Sequence, residues 1–227
     1  MNASAIVELA SADEQRFAQV EESLRTCVVG DVLDQMGRYH QILSPQVKPI
    51  EPGMVLVGRA MPVLIADVHG PQQRPFGRLT ETLDQLRPGE IYLARGSRLP
   101  CAAWGELLTL TARMRGARGA VLDGYHRDTE AILAQRWPVF SHGSYSQDAG
   151  VRASVVDYRV PVDLDGVSVR PGDLVFGDRD GVVVVPREIE DEVLRGALDK
   201  VNAENRVRDA TAAGMSSTEA FATFGVL

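Results

Sequence analysis

The sequence predicts a mixed α/β fold that ends in a helical arm. Between residues 55 and 141, short apolar runs of strand length alternate with segments of helical spacing. From residue 151 to residue 185 the pattern is strand only, and turn pairs such as Asp165-Gly166 and Pro171-Gly172 separate the runs. A long charged segment with helical spacing then covers residues 188–212. Together these patterns are typical of helices packed in layers against a sheet.

The chain up to residue 141 contains alternating predicted helices and strands. Phe17, Val20 and Leu24 form one apolar stripe of the first helix, with Ser11 or Asp13 as its expected cap. Helices are predicted over 13–24, 29–36, 78–86, 104–115 and 128–135, and glycines at 37, 89 and 116 follow three of them. Strands are predicted at 55–57, 61–65, 90–94, 119–122 and 139–141. The segment 43–53 contains three prolines and is predicted to be an extended loop.

The rest of the chain is predicted to form hairpins and then helices. Valine-rich runs predict strands at 155–158, 160–164, 167–169, 174–176 and 182–185, and helical spacing returns over 188–212 and 218–224. The composition shows no break that would mark a linker. We therefore expect a single domain over residues 1–227, with an N-terminal helix in 1–25 and a C-terminal helical arm in 188–227.

Composition and charge exclude several classes of function. Lys and Arg number 24 against 31 Asp and Glu, which gives a net charge of -7, and no basic run is present. Nucleic-acid binding is therefore disfavoured, because phosphate contacts need a basic surface. No apolar run approaches the roughly 20 residues of a membrane helix, and the first 25 residues lack the pattern of a secretory signal. We expect a cytoplasmic protein that contacts neither nucleic acid nor membrane.

The chain contains only two lysines, Lys48 and Lys200. A lysine that forms a Schiff base needs a desolvated pocket to lower its pKa. Lys48 adjoins a proline in a loop-like stretch, and Lys200 lies in a polar helical pattern. The sequence therefore disfavours imine and pyridoxal chemistry.

The segments around Gly105 and Arg127-Asp128 combine features that suit a carboxylate and a metal ion. Gly105 precedes a predicted helix, and a helix start offers free N–H groups to an anion. Arg127 can hold a carboxylate through two N–H bonds, and Asp128 can bind a hard cation such as Mg²⁺. An ordinary Arg–Asp pair at a helix start is the alternative explanation, and the residue types alone do not decide between them.

Several motifs resemble one family. Glu106, twenty intervening residues and Arg127-Asp128 resemble the D-x20-R-D signature of class II pyruvate aldolases of the 4-hydroxy-4-methyl-2-oxoglutarate/4-carboxy-4-hydroxy-2-oxoadipate type, which share a superfamily with the regulator of ribonuclease activity A. The segments 26–37, 169–174, 177–186 and 220–227 are also similar to family motifs. Two departures stand out: position 106 is Glu where the aldolases usually carry Asp, and Ala131 stands where the family often has an acidic residue.

The resemblance implies a fold, a site and an assembly. The fold would be a βα sandwich of the phosphohistidine-swivelling type, assembled as a homotrimer or hexamer with sites between neighbouring subunits. Asp128 would be the protein ligand of Mg²⁺ or Mn²⁺, and Glu106 would hold a metal-bound water. Arg127 would bind the pyruvyl carboxylate and the enolate oxygen. Gly105 would open the helix whose Leu107 and Leu108 N–H groups meet the carboxylate of a small 2-oxo acid.

Other polar residues allow less specific interpretations. His126 could contact the substrate or lie on the surface in a loop, and residues 142–145 could line the pocket. Asp31 and Asp34 could reach a neighbouring subunit or pair locally, whereas Asp178 and Asp180 are expected to be turn residues. His40, His69 and His142 lack metal-ligand spacing with one another.

Three functions follow as hypotheses. The first is a divalent-metal-dependent lyase that cleaves a 4-hydroxy-2-oxo acid to release pyruvate, or decarboxylates oxaloacetate, through a pyruvate enolate. The second is a non-enzymatic regulator that binds a ribonuclease or another protein. The third uses the same metal–enolate site on a sugar-derived acid.

Overall fold

The computed structural model describes residues 3–226, with side chains from residue 12 onward. Met1, Asn2 and Leu227, which belong to the predicted termini, lie outside the described residues. The helices are α1 (Ala3–Ser23), α2 (Thr26–Gln35), α3 (Leu79–Asp84), α4 (Glu106–Met114), α5 (Thr129–Ala134), α6 (Glu190–Ala212) and α7 (Ser217–Phe224). The strands are β1 (Lys48–Pro49), β2 (Leu56–Asp67), β3 (Glu90–Arg95), β4 (Ala102–Trp104), β5 (Gly119–Asp123), β6 (Tyr125–His126), β7 (Val139–Ser141), β8 (Ala153–Tyr158), β9 (Val162–Leu164), β10 (Val167–Val169), β11 (Leu174–Gly177) and β12 (Val182–Val185).

One mixed eight-stranded sheet organises the fold. Its order is β1-β7-β5-β3-β2-β11-β12, and β8 adds to β2 beside β11. The four strands β2, β3, β5 and β7 run parallel, while β1, β8, β11 and β12 pair antiparallel with their neighbours. The carboxyl ends of β3 and β5 therefore lie at the same edge of the sheet. Loops at such an edge are a common location for ligand sites in α/β folds.

Side chains on the two faces of the sheet enter different cores. Inward-facing residues of β2, β3, β5, β11 and β12 meet residues of β9 and β10 in one cluster, which indicates a strongly curved sheet. On the outer face, one cluster packs Trp104, Trp137 and residues of α3, α4 and α5 against the parallel strands. A third cluster packs α1, α2 and α6 against β11 and β12. The predicted mixed α/β sandwich with C-terminal helices is confirmed.

A buried ion-pair network fastens the N-terminal helix to the rest of the fold. Glu190, at the start of α6, is 2% exposed and accepts hydrogen bonds from Arg59 of β2 and Arg16 of α1. Arg59 also donates to Asp13. Burial of the guanidinium alone would lower the pKa of Arg59, but the hydrogen bonds and negative charges of Asp13 and Glu190 outweigh this effect and raise the pKa above its ordinary value. Because α1 begins at Ala3, the expected caps at Ser11 and Asp13 are wrong.

Most element boundaries agree with the sequence patterns within a few residues, with three differences. The two short strands predicted around Gly58 form the single long strand β2. Gly58 lies inside this strand. The position requires glycine because a Cβ there would be 2.7 Å from the Gly89 carbonyl oxygen. Trp104 belongs to β4 rather than to the following helix, and the predicted loop 43–53 contains the short strand β1. Among residues 3–226, no helix is long and apolar enough to cross a membrane.

Candidate active site

A small parallel strand pair brings the two predicted site segments together. β4 pairs with β6, and the Arg127 N–H donates to the Trp104 carbonyl at 3.0 Å. This pairing places Gly105 and Glu106, which begin α4, beside Arg127 and Asp128, which lead into α5. The twenty residues between Glu106 and Arg127 thus comprise the rest of α4, β5, β6 and their connections.

Trp104 fixes the start of α4. Its indole is 1% exposed and packs between Tyr92, with ring centroids 4.7 Å apart, and Trp137, with centroids 6.0 Å apart. The Trp104 Nε1–H donates to Thr109 Oγ1 at 2.8 Å, and the Thr109 hydroxyl donates to the Gly105 carbonyl at 3.0 Å. The first turn of α4 is therefore held rigidly, with its unpaired N–H groups directed outward.

Asp128 lies over this helix start. Its Oδ2 accepts a hydrogen bond from the Glu106 N–H at 3.2 Å, while its carbonyl accepts from the Ile132 N–H of α5. A Cβ at Gly105 would stand 2.5 Å from the same Oδ2, so only glycine leaves room for the carboxylate. Asp128 has φ 60° and ψ 37°, a left-handed conformation that Asp and Asn tolerate better than most residues. The carboxylate is 44% exposed and available to a ligand.

Arg127 extends into the same space and contacts a second carboxylate. Its Nε lies 3.9 Å from Asp128 Oδ2, and its Nη1 lies 3.0 Å from Asp148 Oδ1. The Gly150 N–H donates to the other Asp148 oxygen at 2.7 Å, which orients this carboxylate. The guanidinium is 41% exposed, so part of its donor edge faces solvent. Sequence reasoning missed Asp148, because it lies in an irregular loop twenty positions after Asp128 with no pattern that marks it.

Two cavities open on either side of the Arg127–Asp128 pair. The polar cleft has a volume of about 370 Å³ and is lined by Arg127, Asp128, Thr129, Ser144, Tyr145 and Ser146. The apolar chamber, also about 370 Å³, is lined by polar or helix-start residues (Gly105, Leu107, Leu108, Arg127, Asp128 and Asp148) and by mainly apolar residues (Phe76, Leu79, Thr80, Leu83, Ala102, Ala103, Trp104, Thr111 and Ala149). Each has the size of a typical small-molecule site.

The structure therefore brings most of the predicted site residues together. Gly105, Leu107, Leu108, Arg127 and Asp128 line one cavity. The Glu106 side chain is exposed at the start of α4, and its backbone N–H contacts Asp128. Neither lysine lines the polar cleft or the apolar chamber: Lys200 pairs with Asp31 at 3.0 Å, and Lys48 donates to the Asp180 carbonyl.

His126 is buried next to the site and contacts Ser141 and Thr129. It is 2% exposed, so the interpretation as a surface loop residue is wrong. Its Nδ1 lies 2.7 Å from Ser141 Oγ and its Nε2 lies 3.0 Å from Thr129 Oγ1. Burial lowers the pKa of His126, which favours the neutral ring. The ring thus joins the first turn of α5 to β7 and fixes the segment that carries Arg127 and Asp128.

The other polar candidates divide between the cleft and structural roles. Ser144 and Tyr145 line the polar cleft, as predicted for residues 142–145. His142 instead lies with its Nε2 3.0 Å from Asp123 Oδ1, at the end of β5. Asp178 is buried and accepts hydrogen bonds from the Thr26 N–H and hydroxyl, so it fixes the start of α2 besides forming its predicted turn.

Comparison with known proteins assigns the family. The family model described as "RraA-like: Aldolase/RraA" matches residues 26–184, more than two thirds of the chain. The chain belongs to the RraA-like family. The matched range contains every residue that lines the polar cleft and the apolar chamber.

The RraA-like chain resembles curated proteins of different lengths. It is 29% identical over 201 residues to a protein of Halalkalibacterium halodurans named "Putative 4-hydroxy-4-methyl-2-oxoglutarate aldolase", covering 88% of this chain and 90% of that protein. It is also 29% identical over 196 residues to Protein DlpA of Legionella pneumophila, covering 85% of this chain. The RraA-like chain spans only 31% of the length of DlpA.

Solved structures share the fold. A crystal structure of an uncharacterized protein from Pseudomonas syringae pv. tomato superposes with a TM-score of 0.78 at 29% identity, covering 91% of this chain and 96% of that chain. RraAS2 of Streptomyces coelicolor, described as an unusual member of the RNase ES inhibitor RraA protein family, superposes with a TM-score of 0.76 at 24% identity, covering 86% of this chain and 96% of that chain. The RraA-like fold thus extends over nearly the whole chain.

Proposed function

We propose that this RraA-like protein is a divalent-metal-dependent lyase that cleaves a 4-hydroxy-2-oxo acid to release pyruvate and decarboxylates oxaloacetate. The observation that carries the proposal is that Arg127 and Asp128 lie side by side at the N-terminus of α4 and line a cavity that fits a small acid. Relatives named as 4-hydroxy-4-methyl-2-oxoglutarate aldolases, including that of Halalkalibacterium halodurans, support the same chemistry.

The residues present fit Mg²⁺ or Mn²⁺ better than a metal held by a full protein cage. Among residues 12–226, whose side chains are described, no group of three or more His, Cys, Asp and Glu side chains is placed to hold a metal ion. Mg²⁺ keeps several waters and binds through one or two carboxylates, so the exposed Asp128 suffices as its protein ligand. Glu106 would hold the ion through water. A bound divalent ion supplies Lewis-acid polarisation of the 2-oxo group.

Groups of the protein itself bind the substrate and stabilise the negative charge that develops on it. The substrate carboxylate meets the free N–H groups of Leu107 and Leu108 at the positive end of α4. Arg127 donates hydrogen bonds to the pyruvyl end and stabilises the negative charge that appears there in the transition state. In the retro-aldol step the C4 hydroxyl gives its proton to solvent water, the C3–C4 bond breaks, and the electron pair of that bond forms the enolate of pyruvate. A proton added at C3 completes pyruvate, and C4 leaves as an aldehyde or ketone.

Pyruvate release provides the test. The protein is incubated with oxaloacetate and with 4-hydroxy-2-oxo acids, first with a chelator and then with added Mg²⁺ or Mn²⁺. We expect turnover only with the metal. Asp128→Asn should abolish it while preserving the left-handed backbone, and Arg127→Lys should reduce kcat/KM by about 10²-fold or more, because lysine retains the charge but not the two-pronged donor edge.

A matched control separates these effects from loss of charge in general. Asp163, an exposed residue whose Oδ1 accepts from the Gly166 N–H, is replaced by Asn in the same series. Asp163→Asn should leave turnover unchanged. Chelator-resistant turnover would contradict the metal requirement, and full activity of Asp128→Asn or Arg127→Lys would contradict the assigned residues.

The exposed face of α4 supports an assembly of several copies. Leu107, Leu110 and Met114 are 70%, 47% and 77% exposed and form one stripe at helical spacing. The stripe adjoins the apolar chamber, since Leu107 also lines that chamber. A stripe of this kind is unfavourable in water unless a partner covers it. We expect a homotrimer or hexamer in which a neighbouring copy borders the site, and Met114→Lys should shift the sedimentation coefficient toward that of the monomer.

A regulator of another protein is the second candidate. The same stripe on α4 and the fold shared with RraAS2 favour it. In that case the protein would bind and inhibit a ribonuclease, and Asp128→Asn would leave the inhibition unchanged. Metal-dependent pyruvate release without any effect on ribonuclease activity would exclude this candidate.

A further inference from the structure

The apolar chamber is larger than the pyruvyl end of the substrate requires. Arg127 and Asp128 line both cavities, so a ligand held by Arg127 can continue into the chamber. The apolar part of the chamber wall is formed mainly by Phe76, Leu79, Leu83, Ala103 and Trp104. Leu83 and Trp104 are 6% and 1% exposed and belong to the core, so they form a fixed wall.

Charge determines what can enter this chamber. Arg127 is the only cationic residue among the described residues of its lining, and in the proposed function it binds the substrate carboxylate. Asp128 and Asp148 line the same chamber, and their negative charges repel a further anion. A second carboxylate on the distal half of the substrate would therefore have no cationic partner in the chamber and would lose its hydration.

A small recess continues from the chamber and ends against Tyr92. The recess has a volume of about 20 Å³, shares Phe76, Leu79 and Ala103 with the chamber, and is also lined by Tyr92. Tyr92 is fully buried, and its hydroxyl has no hydrogen-bond partner among residues 12–226. A buried hydroxyl without a partner is unusual in a folded protein. The recess is large enough for about one small group or one water.

We propose that this chamber receives an apolar alkyl or aryl substituent on C4 of the substrate, so that the preferred substrates are 4-hydroxy-2-oxo acids with an uncharged hydrophobic tail. The inference rests on the proposed function for the pyruvyl end and names the substrate class of the same site. Leu83, Ala103 and Trp104 determine the specificity for the tail. The recess at Tyr92 limits the length of tail that the chamber accepts.

Binding of simple 2-oxo acids tests the inference without requiring turnover. Isothermal titration calorimetry with Mg²⁺ present compares pyruvate, 2-oxobutanoate, 2-oxohexanoate, 2-oxooctanoate and 2-oxoglutarate. Each methylene buried in the chamber should tighten binding about fourfold, and 2-oxoglutarate should bind more weakly than 2-oxohexanoate. An affinity that is independent of tail length, or highest for 2-oxoglutarate, would overturn the inference. If a neighbouring copy fills the chamber, the affinity should be independent of tail length.

Variants connect the preference to the chamber. Thr80 is exposed and lines the chamber, so Thr80→Arg places a cation there and should raise the affinity for 2-oxoglutarate several-fold at the expense of 2-oxooctanoate. Gln85→Arg, at an exposed position just after α3 and outside the chamber lining, is the matched control and should change neither affinity. Because the expected effect of Thr80→Arg is a higher affinity for 2-oxoglutarate, misfolding of the variant could not produce it. If Thr80→Arg and Gln85→Arg behave alike, the chamber does not receive the tail.

Turnover separates this inference from the proposed function. Exchange of the pyruvate methyl protons in D₂O, followed by NMR, requires only the pyruvyl end of the site. Exchange without any preference for apolar tails would overturn the substrate class and leave the lyase proposal standing. Tail-dependent binding without exchange or pyruvate release would retain the tail site and contradict the lyase.

Discussion

Gly105 and Asp128 are in such close contact that the site has no space for even one methyl group between them. A Cβ at Gly105 would stand 2.5 Å from Asp128 Oδ2, well inside ordinary van der Waals distance. The backbone of Gly105 is extended, with φ -168° and ψ -170°, so alanine fits the backbone but not the space. The role of this glycine is therefore to let the carboxylate lie over the start of α4.

Gly105→Ala should consequently impair the site without unfolding the protein. The added methyl group displaces the Asp128 carboxylate by roughly 1 Å, and a misplacement of that size costs on the order of 10²-fold in rate. We expect pyruvate release and Mg²⁺ affinity both to fall, with little change in Tm. Gly53→Ala, at an exposed glycine with no atom within 4 Å of the added Cβ, is the control. Equal activity of the two variants would show that the position of Asp128 does not matter.

Asp148 should weaken the binding of anions at Arg127. Its carboxylate lies 3.0 Å from Arg127 Nη1 and neutralises part of the charge that a substrate carboxylate would meet. Both side chains are about half exposed, so solvent screens the pair and its worth is about 0.5–1 kcal/mol. Asp148→Asn should therefore lower KM two- to fivefold with kcat nearly unchanged. A large fall in kcat would instead assign Asp148 to the orientation of Arg127.

His126 should make the stability of the fold depend on pH. Burial lowers the pKa of His126 in the folded state, so below about pH 6.5 the unfolded chain takes up the proton first. The contribution of the neutral ring to stability is therefore present above pH 6.5 and is lost as the pH falls below it. Urea unfolding between pH 7.5 and 5 should show this decline, at up to about 1.4 kcal/mol per pH unit.

The variant His126→Gln should flatten that pH profile. Glutamine retains hydrogen-bonding groups near Ser141 and Thr129 but does not titrate, so the overall stability falls while the slope below pH 6.5 decreases. His69→Gln, at an exposed position, is the matched control and should keep the slope of the parent protein. An unchanged slope in His126→Gln would assign the acid sensitivity to other groups.

The sequence was most informative where structure is local. The Asp180-Gly181 turn and the valine-rich runs on either side of it specify hairpin β11–β12, since turn chemistry and strand propensity act over a few residues. The proximity of Glu106 to Asp128 also agrees with the resemblance, which assigns both residues to one site, although the observed contact is made by the Glu106 N–H and not by its side chain. The sequence predicts two strands on either side of Gly58, since a glycine needed for close backbone approach has the same sequence signature as one that ends a strand.

The rest of the site depends on contacts between distant segments. Asp148 reaches Arg127 from a loop, and Leu83 reaches the apolar chamber from α3. Neither residue belongs to a pattern that includes its partner, so only the folded arrangement reveals the contact. The burial of His126 has the same origin, because His126 is in β6 and its partner Ser141 is in β7 of the main sheet, fifteen positions later.

Glu190 should carry a large share of the stability of the N-terminal region. It is 2% exposed and receives hydrogen bonds from Arg59 and Arg16, which link β2, α1 and α6. Glu190→Gln leaves the buried Arg59 paired only with Asp13, and breaking one side of a buried pair costs about 3 kcal/mol. Urea unfolding at pH 7 should show this loss, whereas the exposed Glu188→Gln should change stability by less than about 0.5 kcal/mol.

A second substitution distinguishes pairing from packing at this position. In the double variant Arg59→Met/Glu190→Gln no buried charge lacks its partner, so stability should recover part of the 3 kcal/mol lost in Glu190→Gln alone. The losses would instead add if each side chain acted only through packing. Because neither Arg59 nor Glu190 lines the polar cleft or the apolar chamber, pyruvate release at temperatures well below the Tm should be the same in Glu190→Gln, Glu188→Gln and the double variant.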